Sequence, residues 1–262
     1  MLFNKSIKLR YNPPLTQFIG QRTIYTATCA STNTWAAQCL HQEELPAGTV
    51  VITDHQYQGR GQRGHGWASE PHKNLTFSVV LYPTFLSASQ SFSLNIITAL
   101  ALHQVLSAYI PEELTIKWPN DLYFQDQKLS GMLIETTVDQ QRLKASVTGI
   151  GLNVNQVEWG PVARATSLAA VCQRTFDLPG LLAQLLLALE RNYLQLQTQG
   201  IASLRASYLE NMYWIHETHT FQDATHTFQG SVRGIDAIGR LAIELATGVL
   251  KYYDVKEVTF VA

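Results

Sequence analysis

The side chains best suited to handling anions in this chain sit beside glycine or proline. The segment GRGQRGHGW, Gly59 to Trp67, places Gly59, Gly61 and Gly64 at the G-x-G-x-x-G spacing and carries Arg60 and Arg63. A dinucleotide-binding turn needs a helix starting directly behind the glycines, so that its N-terminus meets the pyrophosphate. Here His65, Gly66, Trp67, Ser69 and Pro71 follow, and the Rossmann reading fails on context. What remains is a flexible cationic loop whose glycines let backbone N–H groups approach an anion; a plain surface loop accounts for the same residues. A second cluster, KWPNDLYFQDQKLSG, offers Lys117 as a point charge for phosphate, Asn120 as a donor and acceptor for a base edge, and Asp121 as a magnesium contact. Lys128, beside Ser130 and Gly131, is placed to reach the same pocket, although turn chemistry alone would also explain Pro119, Asn120 and Asp121. In TGIGLNVN, Gly149 and Gly151 interrupt a β-branched strand, which marks a close approach by another group, and Asn153 and Asn155 share one face by the two-residue period. No GxxxxGK[ST] is present, so any ATP is held without a Walker loop.

Two further signals carry less. His216, Glu217, His219 and His226 resemble a metal cluster, but HETH is one residue short of H-E-x-x-H and lies in strand-and-turn texture, so solvent-exposed histidines are expected. No G-x-S-x-G elbow is present, and the cysteines have no local reactive signature.

The elements that must position these residues can be read from punctuation and period. Residues 1 to about 20, with a Pro-Pro turn, read as an arm. Ser31, Thr32 and Asn33 cap a helix-like run through Trp35, Ala36, Ala37 and Leu40. Thr49 to Thr53 and Leu75 to Tyr82 read as strands on either side of the glycine segment. Apolar residues from Phe92 to Ile110 follow the helical period and predict a helix with one core face. Strands are expected at Thr115 to Trp118, Leu129 to Thr137 and Leu143 to Val154, with a hairpin turn at Asp139 to Gln141. Pro179 and Gly200 bracket a long apolar helix, and Ala202 to Met212 reads as another. After Met212, short strands at Phe228 to Val232, Arg240 to Leu245 and Val255 to Val261 predict a small β module, with a boundary near residue 215. The fold class expected is α/β (α+β): a mixed-sheet domain over 1–215 and a β domain over 216–262.

With 262 residues, a hydrophobic fraction of 46% and a charged fraction of 15%, the chain has the composition of an ordinary globular protein. Lys plus Arg number 19 against 20 for Asp plus Glu, so there is no basic excess for nucleic acid. No stretch reads as a signal peptide or a membrane span, and a cytoplasmic location is expected. Cys29, Cys39 and Cys172 are odd in number and have no CxxC spacing, so they read as buried or reduced thiols.

Taken together and in order, Ser31 to Asn33, the glycine segment, KWPND with KLSG, and TGIGLNVN resemble the biotin protein ligase family. The resemblance runs from about residue 22 to 155, and more faintly into the C-terminal module, which resembles an SH3-like β-barrel. It implies a biotin/lipoate ligase-like catalytic domain that uses ATP, biotin and Mg2+. It implies biotin contacts from Ser31, Thr32, Asn33, Gln56, Gly59, Arg60, Gly61, Gln62, Lys128 and Gly131. For ATP it implies Arg60, Arg63, Trp67, Lys117, Asn120, Asp121, Lys128 and Asn153, with Lys128 and Arg60 catalytic and Asp121 at the metal. The implied acceptor is a lysine of a biotin carboxyl carrier domain. A homodimer stays open, and no nucleic acid or membrane partner is expected. The chain begins almost at the catalytic domain, so an enzyme without an N-terminal DNA-binding domain is expected. It also departs from the family pattern: Gln62 stands where arginine commonly recurs, and His65 where another is frequent. Compensation by Arg60 and Arg63 is expected, with His65 a weaker contributor. A lipoate ligase, and a non-catalytic module that binds biotinyl-AMP or a nucleotide, are the rival readings.

Overall fold

The computed structural model describes residues 15–42, 44–64, 66–160 and 164–261. Most of the expected N-terminal arm, residues 1–14, lies outside this range, as does His65. β-Branched and alternating segments form the main sheet. Its strands are β1 (Thr23–Cys29), β2 (Val50–Gln56), β5 (Leu75–Leu81), β6 (Leu114–Lys117), β7 (Asp121–Phe124), β8 (Gln127–Asp139) and β9 (Arg142–Leu152), while β3 (Gly59–Arg60) and β4 (Gly66–Trp67) make a separate small hairpin. The order across the main sheet is β1-β2-β5-β9-β8-β7-β6. β1 and β2 are parallel and every other pair is antiparallel, which makes the sheet mixed as expected. Neither β1 nor β7 is anticipated by the sequence reading. β1 adjoins the segment read as an arm, and β7 has only four residues behind a Pro-Asn turn.

Helix α1 (Thr32–Gln42) packs on β2, β5 and β9. Helix α2 (Phe92–Leu106) departs from the expectation of one core face. Ile96 to Leu102 are buried at every consecutive position, because the helix lies between β6, β7 and β8 on one side and the long C-terminal helices on the other. A helix enclosed this way needs to be apolar all round. After the short α3 (Leu168–Cys172) come α4 (Leu178–Gln199) and α5 (Ala202–Glu210). α4 follows its punctuation: Asp177 accepts the Gly180 N–H at 2.9 Å, Pro179 sits in the first turn, and Gly200 closes the helix at φ 77°.

One polar group in α4 faces inward. Glu190 is 3% exposed, and its carboxylate accepts the backbone N–H groups of Gln17, Phe18 and Ile19 at 2.7, 2.8 and 2.9 Å. It thereby pins the segment entering β1, which the sequence reads as a loose arm. Glu190→Ala is expected to lower stability by about 1–3 kcal/mol, since the donors lose an acceptor where water is excluded. Urea unfolding of the two proteins checks this, and an unchanged midpoint would contradict it.

The C-terminal module holds β10 (Thr218–Asp223), β11 (Thr227–Ile235), β12 (Leu241–Leu245), β13 (Leu250–Tyr253) and β14 (Val258–Val261), all antiparallel, in the order β13-β12-β11-β10-β14. Among the described residues no ladder joins β13 to β14, so the sheet is open and the expected barrel is not closed. β10 and β13 are not anticipated either: THTFQD is mostly polar and LKYY is short. The module shares the main core through Phe221, Val232, Ile243 and Val258, and the Trp118 indole donates to Gly239 O at 2.8 Å. His216 and His226 are exposed as expected. His219 is not, because its ring stacks on Trp214 with centroids 3.7 Å apart and bonds Glu217 at 2.8 Å. No metal-holding cluster occurs among the described residues, and none of their helices is long and apolar enough to cross a membrane.

Candidate active site

The N-terminal turn of α1 builds one end of a cavity. Thr32 donates to Gln56 Oε1 through both its N–H, at 2.7 Å, and its hydroxyl, at 3.1 Å. The Ser78 hydroxyl lies 2.7 Å from Thr32 Oγ1 and 2.7 Å from Asn33 Oδ1. Asn33 in turn donates to Leu133 O at 3.0 Å and to Glu135 Oε2 at 2.9 Å. Ser31, Thr32, Asn33 and Gln56 are all buried, so this polar cluster is fixed before any ligand arrives. The strand glycines make it possible. A Cβ at Gly149 would fall 2.1 Å from Asn33 Oδ1, and one at Gly151 would fall 2.3 Å from the Trp67 ring. Both are close-approach positions, as their interruption of a β-branched strand predicts.

The glycine segment is the small hairpin β3–β4, with Gly59 opposite Trp67, Arg60 opposite Gly66, and a 3₁₀ turn at Gln62–Gly64 between them. Gly59 is needed for the pairing itself, since a Cβ there would fall 2.2 Å from Trp67 O. Arg60 lies at the cavity rim, where its guanidinium pairs with Glu135 and donates to Thr34 Oγ1 at 3.0 Å. Gln62 faces the cavity; the Arg63 side chain lies outside the described part of the structure.

The opposite end comes from the β6–β7 hairpin and the start of β8. Lys128 Nζ lies 2.7 Å from Asp121 Oδ1 and 5.9 Å from the centre of the Trp67 ring. Burial pushes the Asp121 carboxyl above the usual carboxylate range, while Lys128 and then Lys117 pull it back. Burial lowers Lys117, whose ammonium sits 4.3 Å from the Tyr123 ring centre, 5.0 Å from Tyr213 and 5.1 Å from Phe260. Phe260 belongs to β14, so the C-terminal module walls this end.

These walls enclose a cavity of about 300 Å³, within the range of small-molecule sites. It unites Ser31, Thr32, Asn33, Gln56, Arg60, Gly61, Gln62, Trp67, Lys117, Asn120, Asp121, Lys128 and Gly131. Gly59 stands behind the wall, and so does Asn153. Asn153 is not free to read an adenine with its N–H groups, because its amide donates to Lys128 O at 3.3 Å and Thr166 O at 3.0 Å. Asn120 lines the cavity, but its amide nitrogen is committed to Met132 O. The sequence reading misses Thr76, Trp118, Pro119, Ile150 and the β14 residues Val258 to Phe260. Trp118 and Pro119 stand inside the quoted motif and were recoverable; nothing in the C-terminal strand's own residues signals contact with a site more than a hundred positions earlier.

Chemically, a neutral hydrogen-bonding pocket lies at one end and a pair of lysines at the other. A magnesium ion fits only as a companion of ligand phosphates. Asp121, the single carboxylate lining the cavity among the described residues, is already the ion-pair partner of Lys128, and Mg2+ in such sites takes one or two carboxylates plus phosphate oxygens and water.

The family model described as the biotin/lipoate A/B protein ligase family matches residues 25–153. The chain is 30% identical over 244 residues to the bifunctional ligase/repressor BirA of Bacillus spizizenii, a match covering 91% of this chain and 74% of that protein. It is 30% identical over 214 residues to the biotin--[acetyl-CoA-carboxylase] ligase of Paracoccus denitrificans, covering 78% of this chain and 87% of that one. Among solved structures, the biotin protein ligase from Aquifex aeolicus in complex with biotin and ATP matches with a TM-score of 0.75 at 25% identity, covering 91% of this chain and 98% of that chain. Similarity on this scale, covering 91% of the chain in both sequence and structure, shows that the chain belongs to the biotin/lipoate A/B protein ligase family, among its biotin protein ligases.

Proposed function

We propose that the protein attaches biotin to a lysine of a biotin carboxyl carrier domain, in two steps joined by a biotinyl-5′-AMP intermediate. In the first step a biotin carboxylate oxygen attacks the α-phosphorus of ATP and pyrophosphate leaves. In the second the carrier amine attacks the carbonyl of the mixed anhydride, AMP leaves and the amine sheds a proton. The observation that carries this reading is the placement of Lys128, on Asp121 and near Trp67, across the cavity from the neutral Thr32–Gln56 cluster. A neutral ring system at one end would present its carboxylate to a nucleotide phosphate at the other. No nucleophile of the enzyme is required; the protein contributes positioning and fixed positive charge. Magnesium, carried on the nucleotide phosphates, would add charge neutralisation there.

Residues to about 215 would form the catalytic domain, with the module from 216 closing its phosphate end. The acceptor domain, a ligase role without DNA binding, and a cytoplasmic setting complete the proposal. Biotin is favoured over lipoate by the KWPND and KLSG pairing, all of whose cavity-facing residues converge on one wall. Pyrophosphate exchange with ATP should depend on biotin and be absent with lipoate. The reverse preference would make the protein a lipoate ligase, and no exchange with either would make it a binding module. GTP should replace ATP poorly, since Trp67 and Asn120 present a shaped and hydrogen-bonding wall.

A further inference from the structure

The geometry points to Glu135 as a positioning residue that fastens the glycine hairpin over the cavity. Glu135 lies on β8, four residues beyond Gly131, and no catalytic motif of the sequence includes it. Its two carboxylate oxygens serve different elements. Oε2 accepts from the buried Asn33 amide at 2.9 Å, and Oε1 pairs with the Arg60 guanidinium. Arg60 also donates to Thr34 Oγ1 at 3.0 Å, so the hairpin is tied at once to β8 and to the first turn of α1. Asn33 is held in turn by Leu133 O and, through its own oxygen, by Ser78, which also touches Thr32. One carboxylate therefore links the ligand-reading cluster to the hairpin that covers it.

The link acts on the hairpin more than on Asn33. Asn33 keeps Leu133 and Ser78 if Glu135 is lost, whereas among the described residues the Arg60 side chain is held by Thr34 and Glu135. β3 and β4 are two residues each and pair only with one another among the described residues, so no backbone ladder ties the hairpin to the main sheet; Trp67 seats its β4 side on Gly151, and the β3 side depends on Arg60. Glu135 supplies that hold before any ligand binds, which shortens the closing motion needed to exclude water from a reactive anhydride. Arg60 is then a latch at the rim, and its partner sets how long the intermediate stays.

The direct test is amide hydrogen exchange of residues 59–67 in the substrate-free protein, compared among wild type, Glu135→Gln and Arg60→Gln. Glu135→Gln keeps an acceptor for Asn33 but removes the charge facing Arg60; Arg60→Gln breaks the same tie from the other side. Both side chains are partly exposed, at 45% for Arg60 and 39% for Glu135, so the expected acceleration is roughly threefold to fivefold, the size of a partly exposed ion pair. The double variant should exchange no faster than Arg60→Gln, which already loses the ties to both Glu135 and Thr34. The significance for the intermediate rests on the biotin-ligase reading: release of biotinyl-AMP should quicken by a similar factor in each single variant. Unchanged exchange in Glu135→Gln, or additive effects in the double variant, would overturn the latch. A wild-type protein inactive with biotin would overturn only the assigned reaction, because exchange is measured without substrate.

Discussion

Lys128→Ala should lose about a hundred- to a thousandfold of the rate of biotin-dependent pyrophosphate exchange, the usual cost of removing one fixed charge-assisted donor from a reacting centre. The sequence alone suggests that such a change leaves the fold intact. The structure revises this. Lys128 is the ion-pair partner of Asp121, whose carboxyl is buried and already pushed upward by desolvation. Without Lys128 that carboxylate either protonates or stays charged with only Lys117 to offset it, so the single variant should also be less stable, by a few kcal/mol at most given that Lys128 is itself 32% exposed. The double variant Asp121→Asn/Lys128→Ala separates the two effects. Its melting temperature should return toward wild type while its exchange rate stays low. If the rate recovers along with stability, Lys128 serves the fold and not the chemistry. Near-normal exchange in Lys128→Ala alone would remove it from the reacting centre altogether.

How far the site was legible follows from where its residues sit in the chain. Local punctuation is enough to place Ser31 to Asn33 at a helix start, because a cap and its helix are neighbours, while their place at a site came only from the family resemblance; for KWPND, proline forces the turn that delivers Asn120 and Asp121. Gly149 and Gly151 announce that something approaches a strand without saying what. Only the folded chain shows that the visitors are Asn33 and Trp67. Pairing across the sheet is what sequence cannot supply. The partnership of Arg60 with Glu135 spans 75 positions, and that of Lys117 with Phe260 spans more of the chain still. The engagement of the Asn153 amide has the same origin. The two-residue period correctly separates the faces of a strand, but by Asn153 the strand β9 has ended at Leu152, and the side chain turns to the 164–168 segment instead. The expected barrel fails for a related reason: the short strands β10 and β13 were invisible, so neither the number of strands nor their closure could be read.

Gln62→Arg should slow the release of preformed biotinyl-AMP by about tenfold to a hundredfold. Gln62 faces the cavity from the 3₁₀ turn between β3 and β4, and an arginine there would offer its guanidinium to a phosphate oxygen of the bound adenylate. A charge-assisted hydrogen bond to that oxygen is worth roughly 1.5–3 kcal/mol, which sets the size of the effect if it acts on the bound state alone. The sequence suggests that Arg60 and Arg63 compensate for the missing charge. The structure weakens the first half of that suggestion, because Arg60 is engaged by Glu135 and Thr34 at the rim. Two arrangements then remain, and Arg63→Ala distinguishes them. If Arg63 holds the phosphate, Arg63→Ala speeds release by the same tenfold to hundredfold and Gln62→Arg adds little to wild type. If it does not, Arg63→Ala leaves release unchanged while Gln62→Arg slows it strongly. A tenfold or greater slowing by Gln62→Arg goes with the second pattern, in which the wild-type hairpin retains its intermediate mainly by covering it. Such retention depends on the latch and not on charge at phosphorus. Because that latch is itself a partly exposed ion pair, release from wild type should quicken modestly between low and moderate salt, and release from Gln62→Arg should quicken more as salt also screens the added guanidinium.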